Sequence, residues 1–478
     1  MYKPVFLAAL AAIATNSLAA SAQEQPWLGD RRYGEGMGIR TGDLELHPGI
    51  AAEGGYDSNY FQRSGEDREP VISTIRLRVT PSFSVSTLGP QRRALDGEGA
   101  EPPTVEFRAS TSGSYNEFIA TDSQYRSEAS RQRNFSGRIG FKLDILPQRP
   151  WGGDLLADFQ RTVEPSNELD RDYGFDRDTA RFGTGIIWRP GGGLFDWRLG
   201  YELRYNHFER QSYRRLDNTH HYINTRGRWR FLPRSALVYD AELGFINYVN
   251  NADTPLNDSR PVRSRIGFNG LITNHFGLLA MAGWGGSFYA ANPATPTQDF
   301  DSVIAHGEFK WFILPQPRLP EDGAKVGLSS VALGYTRNFT DSYLTDYYQR
   351  DRVYLNFSYF FAGVFLLSAE GGWSHMTYPE SFFAPGTLNA PADFHRHDPF
   401  TEDRLDAELF GEYRLSDSFG INTTLRYNAN LDTSDNDVVV VPAAPPDPND
   451  PNSVATPAVV DNLAFTRFQA FLGVRWFM

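Results

Sequence analysis

The feature that most constrains this chain is a two-residue alternation of apolar and polar side chains that returns again and again along its length. Between Val71 and Ser86 one set reads Val71, Ile75, Leu77, Val79, Phe83 and Val85, and the other reads Thr74, Arg76, Arg78, Thr80, Ser82 and Ser84. Successive side chains of an extended strand point to opposite faces, so such a segment has one apolar and one polar face. Val105 to Ile119 repeats the pattern, with Val105, Phe107, Ala109, Tyr115 and Ile119 opposing Glu106, Arg108, Ser110, Ser112 and Asn116. So does Phe195 to Tyr205, where Phe195, Trp197, Leu199, Tyr201 and Leu203 oppose Asp196, Arg198, Glu202 and Arg204. Each run is long enough to cross a bilayer when tilted by roughly 45°.

Further strands are predicted over 44–56, 132–146, 153–163, 178–189, 219–231, 235–249, 262–273, 276–289, 302–313, 325–338, 351–361, 363–376, 403–414, 418–429 and 462–477. With the three above, the expectation is an all-β chain, a transmembrane antiparallel β-barrel of about 16–18 strands. Closure is required because an open sheet in hydrocarbon would leave a row of edge N–H and C=O groups unpaired, at several kcal/mol each. The connections alternate in length, as the two rims of such a barrel do. Short ones fall at 148–152, 190–193, 232–234, 274–275, 362–363 and 416–418. Long polar ones fall at 57–70, 121–131, 164–177, 208–218, 250–261, 290–301, 339–350, 377–402 and 430–461 and are expected outside the cell. The connections 87–103 and 314–324 are longer than the alternation calls for. Trp151, Trp188, Trp229, Trp311, Tyr239, Tyr335, Tyr359 and Tyr427 are the expected aromatic girdles at the two interfaces.

Ahead of the first strand, Lys3 precedes an apolar stretch from Val5 to Leu18 and the small residues Ala20-Ser21-Ala22. That order predicts a signal peptide over 1–22, then a periplasmic segment over 23–43 and the barrel over 44–478, with long exterior loops including 377–402 and 430–461. The apolar stretch is too short to span a bilayer as a helix. With no Cys in the chain, disulfides, thiol nucleophiles and cysteine metal sites are excluded. A net charge of −12 argues against nucleic acid as a partner.

One stretch carries a likeness to a known family. Gly49-Ile50-Ala51-Ala52-Glu53-Gly54-Gly55-Tyr56-Asp57-Ser58-Asn59-Tyr60-Phe61, followed by Ile75-Arg76-Leu77-Arg78-Val79-Thr80-Pro81-Ser82, resembles the bacterial β-barrel porin type 2 family. Tyr56-Asp57-Ser58-Asn59 stands where that family has a Tyr-Asp-Asn element before its first exterior loop, and Arg78-Val79-Thr80-Pro81 matches its Arg-x-x-Pro element. The resemblance implies an outer-membrane barrel often associated with polysaccharide export, and brings no catalytic residues with it. A structural role for Tyr56 to Asn59, setting the register of the first hairpin, is the competing reading.

On the expected inward faces, arginines and carboxylates interleave. The predicted pore-lining set is Arg76, Arg78, Arg108, Arg198, Glu202, Arg204, Arg226, Arg228, Arg230, Arg263, Arg265, Glu408 and Arg426, accompanied by Asp240, Glu242, Glu308, Asp406 and Glu412. Such a wall suits a water-filled channel in which arginine ladders face carboxylates across the pore. It suits equally a brace in which the charges pair with one another and nothing passes. Two readings of function therefore stand side by side: a porin-like channel for hydrophilic solutes or an accessory to surface-polysaccharide export, and a non-conducting barrel that binds surface polymer or envelope machinery through its loops. Expected partners are outer-membrane lipid, lipopolysaccharide, the barrel-assembly machinery and polysaccharide or export components.

No catalytic set is recognisable, because His220-His221 near Asp217 and His207 with Glu209 offer no nucleophile, base and orienter together. The acidic loop residues, such as Asp170 and Asp172 or Asp432 and Asp435, lack the spacing of a calcium loop. His395-Arg396-His397-Asp398 reads better as loop surface than as a metal site. No cofactor is expected.

Overall fold

In the computed structural model the described residues are 38–64, 70–88, 103–163, 176–209, 211–250, 257–290, 297–313, 329–342, 345–361, 364–379, 381–383, 395–397, 399–431, 437–441, 459–462 and 464–478. The proposed signal peptide and most of the segment over 23–43 lie outside them. So do half of the loop 377–402 and most of the loop 430–461.

The strands form a closed antiparallel barrel of 18. They are β1 Leu44–Asp57, β2 Thr74–Thr87, β3 Val105–Ala120, β4 Asn134–Ile145, β5 Trp151–Thr162 and β6 Arg177–Trp188. Next come β7 Phe195–Phe208, β8 Asn218–Leu232, β9 Ser235–Tyr248, β10 Ser259–Leu271, β11 Phe276–Tyr289 and β12 Phe300–Phe312. The wall ends with β13 Ser330–Asp341, β14 Tyr347–Phe361, β15 Phe365–Tyr378, β16 Phe400–Ser416, β17 Phe419–Asn430 and β18 Phe465–Phe477. Each pairs with its sequence neighbour, and β18 returns to β1 in a register from Gly49↔Phe477 to Asp57↔Gln469. A barrel of this kind has no free edge, which answers the requirement that no backbone group meet hydrocarbon unpaired.

The alternation read from the sequence is the inside–outside alternation of the wall. In β2 the outward Ile75, Leu77, Val79 and Phe83 are exposed while the inward Thr74, Arg76, Arg78 and Thr80 are buried. In β18 Phe468, Leu472, Val474 and Trp476 face out, and Arg467, Gln469 and Arg475 face in. An exposed apolar belt of this extent would be unstable in water and is satisfied by hydrocarbon. Near the short-turn rim it gathers aromatic rings, among them Trp151 and Trp188 stacked at 5.8 Å between centroids, and Phe276 on Phe309 at 5.4 Å. At that rim Gly191, Gly192 and Gly193 take φ of +68°, +67° and +91°, a left-handed run that only glycine adopts without strain.

The opposite rim is built differently. There the segment after β1 turns inward, and Tyr60, Phe61, Ile72, Phe118 and Ala120 bury a small core with Ala129 of helix α1, Arg126–Arg131. Two loop hairpins also form, Ser381–Phe383 with His395–His397 and Asp437–Val441 with Val459–Asn462.

The expectation of a long exterior loop at 339–350 is corrected. β13 runs on to Asp341 and β14 begins at Tyr347, so the connection spans only 342–346. The reason is physical: above Tyr335 the outward side chains become Arg337 and Asp351, 3.8 Å apart, as the wall leaves the apolar belt. Alternation fades where both faces meet water, although the hydrogen-bonded ladder continues.

Candidate functional site

The interior of the barrel is the site with chemical content. Every residue of the predicted pore-lining set lies on the inward-facing alternate of its strand, and the structure gives most of them a partner. Arg198 of β7 holds Asp154 of β5 through Nε and Nη2 at 2.6 and 2.7 Å. Arg265 of β10 holds Asp240 of β9 at 3.0 and 2.6 Å, and Arg263 holds Glu242 at 2.9 Å. Arg228 donates to Asp196, and Arg204 donates to Glu202 at 3.0 Å while lying 5.7 Å above the ring of Tyr222. Glu408 accepts from Arg426. Arg108 faces inward on β3, beside Lys142 in the register with β4. Glycines make room for these planes, since a Cβ at Gly185 or Gly200 would collide with the Arg198 guanidinium at 2.7 or 2.2 Å.

Of the two expected layouts, arginine ladders facing carboxylates across the pore and charges that pair with one another, the ion pairs follow the second. The ion pairs run along the wall, mostly between strands one or two apart, because charges removed from bulk water gain most from close partners. The wall also has two characters. From β14 through β18 to β1 and β2 most of the guanidiniums are packed away, while Glu370, Asp406 and Glu408 stay partly exposed: Arg475 and Glu412 are 1% and 0% exposed and meet at 2.6 Å between Nη2 and Oε1. Arg78 sits on Glu53 at 2.8 Å, and Ala51, Leu366 and Phe410 bury an apolar patch in the same region. Arg76, Arg78 and Arg426 belong to this packed side.

On the β6 to β8 side the charges are half-exposed, and four arginines have no ion-pair partner among the described residues: Arg177, Arg181, Arg226 and Arg230. The register explains two of them. Arg181 lies opposite Asp158, which is taken by Arg138 at 2.8 Å, and Arg226 lies opposite Asp240, which is taken by Arg265.

The Tyr56 to Asn59 element closes the seam between the first and last strands. Asp57 accepts from Arg467 at 2.9 and 2.6 Å, from Gln469 at 2.7 Å and from Arg76 at 3.5 Å. Asn59 donates to the carbonyls of Arg63 and Thr466 at 2.8 and 3.1 Å. Tyr60 covers the cluster, with the guanidiniums of Arg76 and Arg467 each 5.6 Å from its ring.

Several interior groups escaped the sequence reading. Arg352, which bridges Glu370 at 2.9 Å and Asp406, fell at the margin of a predicted strand that starts four residues later than β14 does. Asp154, inside the predicted strand 153–163, is an inward carboxylate that the predicted set does not contain. Of the rim histidines, His207 bonds Asp217 at 3.0 Å, and His220 turns inward to Asn218 and Tyr222 at 2.7 and 2.8 Å. Among the described residues no group of three or more His, Asp or Glu side chains is placed to hold a metal ion.

Comparison with known proteins gives likeness to solved outer-membrane barrels. The outer membrane protein OpdK of Pseudomonas aeruginosa is 11% identical, over 91% of this chain and 99% of that one, with a TM-score of 0.44. Acinetobacter baumannii OccAB3 is 12% identical over 91% and 99%, with a TM-score of 0.41. The FrpB iron transporter from Neisseria meningitidis is 9% identical over 92% and 82%, with a TM-score of 0.45. No family model matches the chain, and no curated protein matches it in sequence. The likeness to the type 2 porin family read at Gly49–Phe61 and Ile75–Ser82 is not confirmed by these comparisons.

Proposed function

We propose that this chain is a porin-like channel of the bacterial outer membrane that passes small hydrophilic solutes, with a preference for anions. The observation that carries the reading is the set Arg177, Arg181, Arg226 and Arg230, without an ion-pair partner among the described residues, on the inner face of a closed wall whose outer face is an apolar belt. A wall built only to brace itself would pair its guanidiniums, since an unpartnered charge in a partly desolvated place is costly. Water and mobile anions in the interior satisfy such groups, and fixed positive charge then raises the local anion concentration. Export by the signal peptide over 1–22, with the long loops facing outward, and association with a polysaccharide-export assembly through the type 2 likeness are parts of the same proposal.

One observation favours the second reading, a non-conducting barrel: from β14 to β2 most guanidiniums are buried against a carboxylate. Single-channel recording in planar bilayers separates the two. Stepwise currents, with a reversal potential of anion-selective sign in a KCl gradient, are expected. Silence from protein that shows the heat-modifiable gel mobility of a folded barrel would overturn the channel. In Arg226→Ala/Arg230→Ala protein the reversal potential should move toward the non-selective value with the channels still open.

A further inference from the structure

The ladder between β12 and β13 stops early. Its register runs from Phe312↔Ser330 to Ala305↔Arg337, although β12 reaches up to Phe300 and β13 to Asp341. β13 stays paired with β14 to its end at Asp341↔Tyr347, so the two leave β12 together as a hairpin. β14 is back in the wall by Gln349↔Thr377.

The contacts show where the tip goes. Arg263, on the inner face of β10, donates to the Phe339 carbonyl at 2.9 Å and to Asn338 Oδ1 at 3.4 Å, with its guanidinium 4.2 Å from the Phe339 ring. Phe339 is wholly buried, stacked on Phe300 at 4.3 Å. It occupies the space left by Gly285 on the inner face of β11, where a Cβ would lie 2.7 Å from its ring. Asp341 accepts from Ser259 of β10 at 3.2 Å, and from Ser287 and Tyr289 of β11 at 3.4 and 2.6 Å. The Tyr289 hydroxyl also lies 2.8 Å from the Asp346 carbonyl, and the Asp346 carboxylate accepts from Asn257 at 3.0 Å and from the Gln298 amide at 2.9 Å. The anchors lie on β10, on β11 and in the loops beside them, so the hairpin has crossed the inner face of β12. The break is tolerable because it begins above Tyr335, where the outward groups are Arg337 and Asp351 and water reaches the freed backbone.

We infer that this inturned hairpin is the constriction of the channel, setting the largest solute that passes; the inference rests on the channel reading above. Its anchors are specific, two carboxylates held by hydroxyls and amides and one aromatic ring seated on a glycine, so the tip has one defined place rather than a range of them.

The test uses the full chain in planar bilayers and in proteoliposomes. A Ser259→Ala/Ser287→Ala/Tyr289→Phe variant removes all three donors to Asp341. It should shift the conductance histogram upward and admit larger neutral sugars in liposome swelling. As a second handle that keeps the hairpin seated, the Cys-free background allows Ser287→Cys/Asp341→Cys, which replaces groups whose oxygens stand 3.4 Å apart. Oxidised, this pair should conduct as wild type does, and reduction should raise the conductance. Wild-type currents left unchanged by the triple variant and by reduction overturn the constriction and leave the channel standing. Silence in wild type and in every variant, from protein with folded gel mobility, overturns both.

Discussion

Asp57 has no exposure at all, yet it gathers two guanidiniums and an amide from strands at the two ends of the barrel sequence. Removing a buried anion leaves its cations without compensation, which costs about 3–5 kcal/mol in comparable buried pairs. Asp57→Ala should therefore lower the urea midpoint of the folded barrel by far more than Arg133→Ala, which deletes the exposed pair with Glu117. Equal midpoints in the two variants would remove the seam role. The same residue shows how far a sequence can be read. Tyr56 to Asn59 could be singled out as a motif, but its partners Arg467 and Gln469 lie 410 and 412 positions away, and nothing local announces them. Arg226 and Arg230 were likewise recognisable as inward-facing, whereas their lack of a carboxylate depends on which neighbour Arg265 and Arg228 choose.

At the scale of the strand, hydrocarbon on one side and a polar interior on the other write a period of two into the sequence, which is why all 18 wall strands could be placed from it. The information ends where the second solvent changes. Above Tyr335 and Trp373 the outward positions carry Arg337, Asp351, His375 and Asp403, so β13 and β14 lost their signal several residues before their hydrogen bonds stop. The inturned hairpin was illegible for that reason, since its residues alternate between two polar surroundings and one aromatic wedge. The period itself yields a test. Ile266, in the middle of β10, is 63% exposed on the outer face. Ile266→Arg should destabilise the barrel in lipid by about 2–4 kcal/mol, as a cation near the bilayer midplane does. Asn269→Arg, on the inner face of β10 opposite Ala236, should cost far less when both are compared by denaturant titration in vesicles. A comparable loss in both would mean that the outer belt does not face lipid.

For the molecule as a whole, the wall divides into a dry, paired side and a side where arginine outnumbers its partners. A selectivity that arises from fixed surface charge is screened by salt, because the Debye length falls from about 10 Å at 0.1 M to about 3 Å at 1 M. The anion preference should accordingly shrink as symmetric KCl rises between those limits, measured as the reversal potential under a constant concentration ratio. A preference that holds unchanged at high salt would point instead to a specific binding site in contact with the ion. The seam between β1 and β18 also bears on time. The carboxylate of Asp57 emerges with the first strand, meets Arg76 of the second at 3.5 Å, and must wait through sixteen strands for Arg467, which holds it at 2.9 and 2.6 Å. Ordering of so distant a pair is slow by nature. Closure of the wall and full compensation of that anion therefore arrive together, with the last strand.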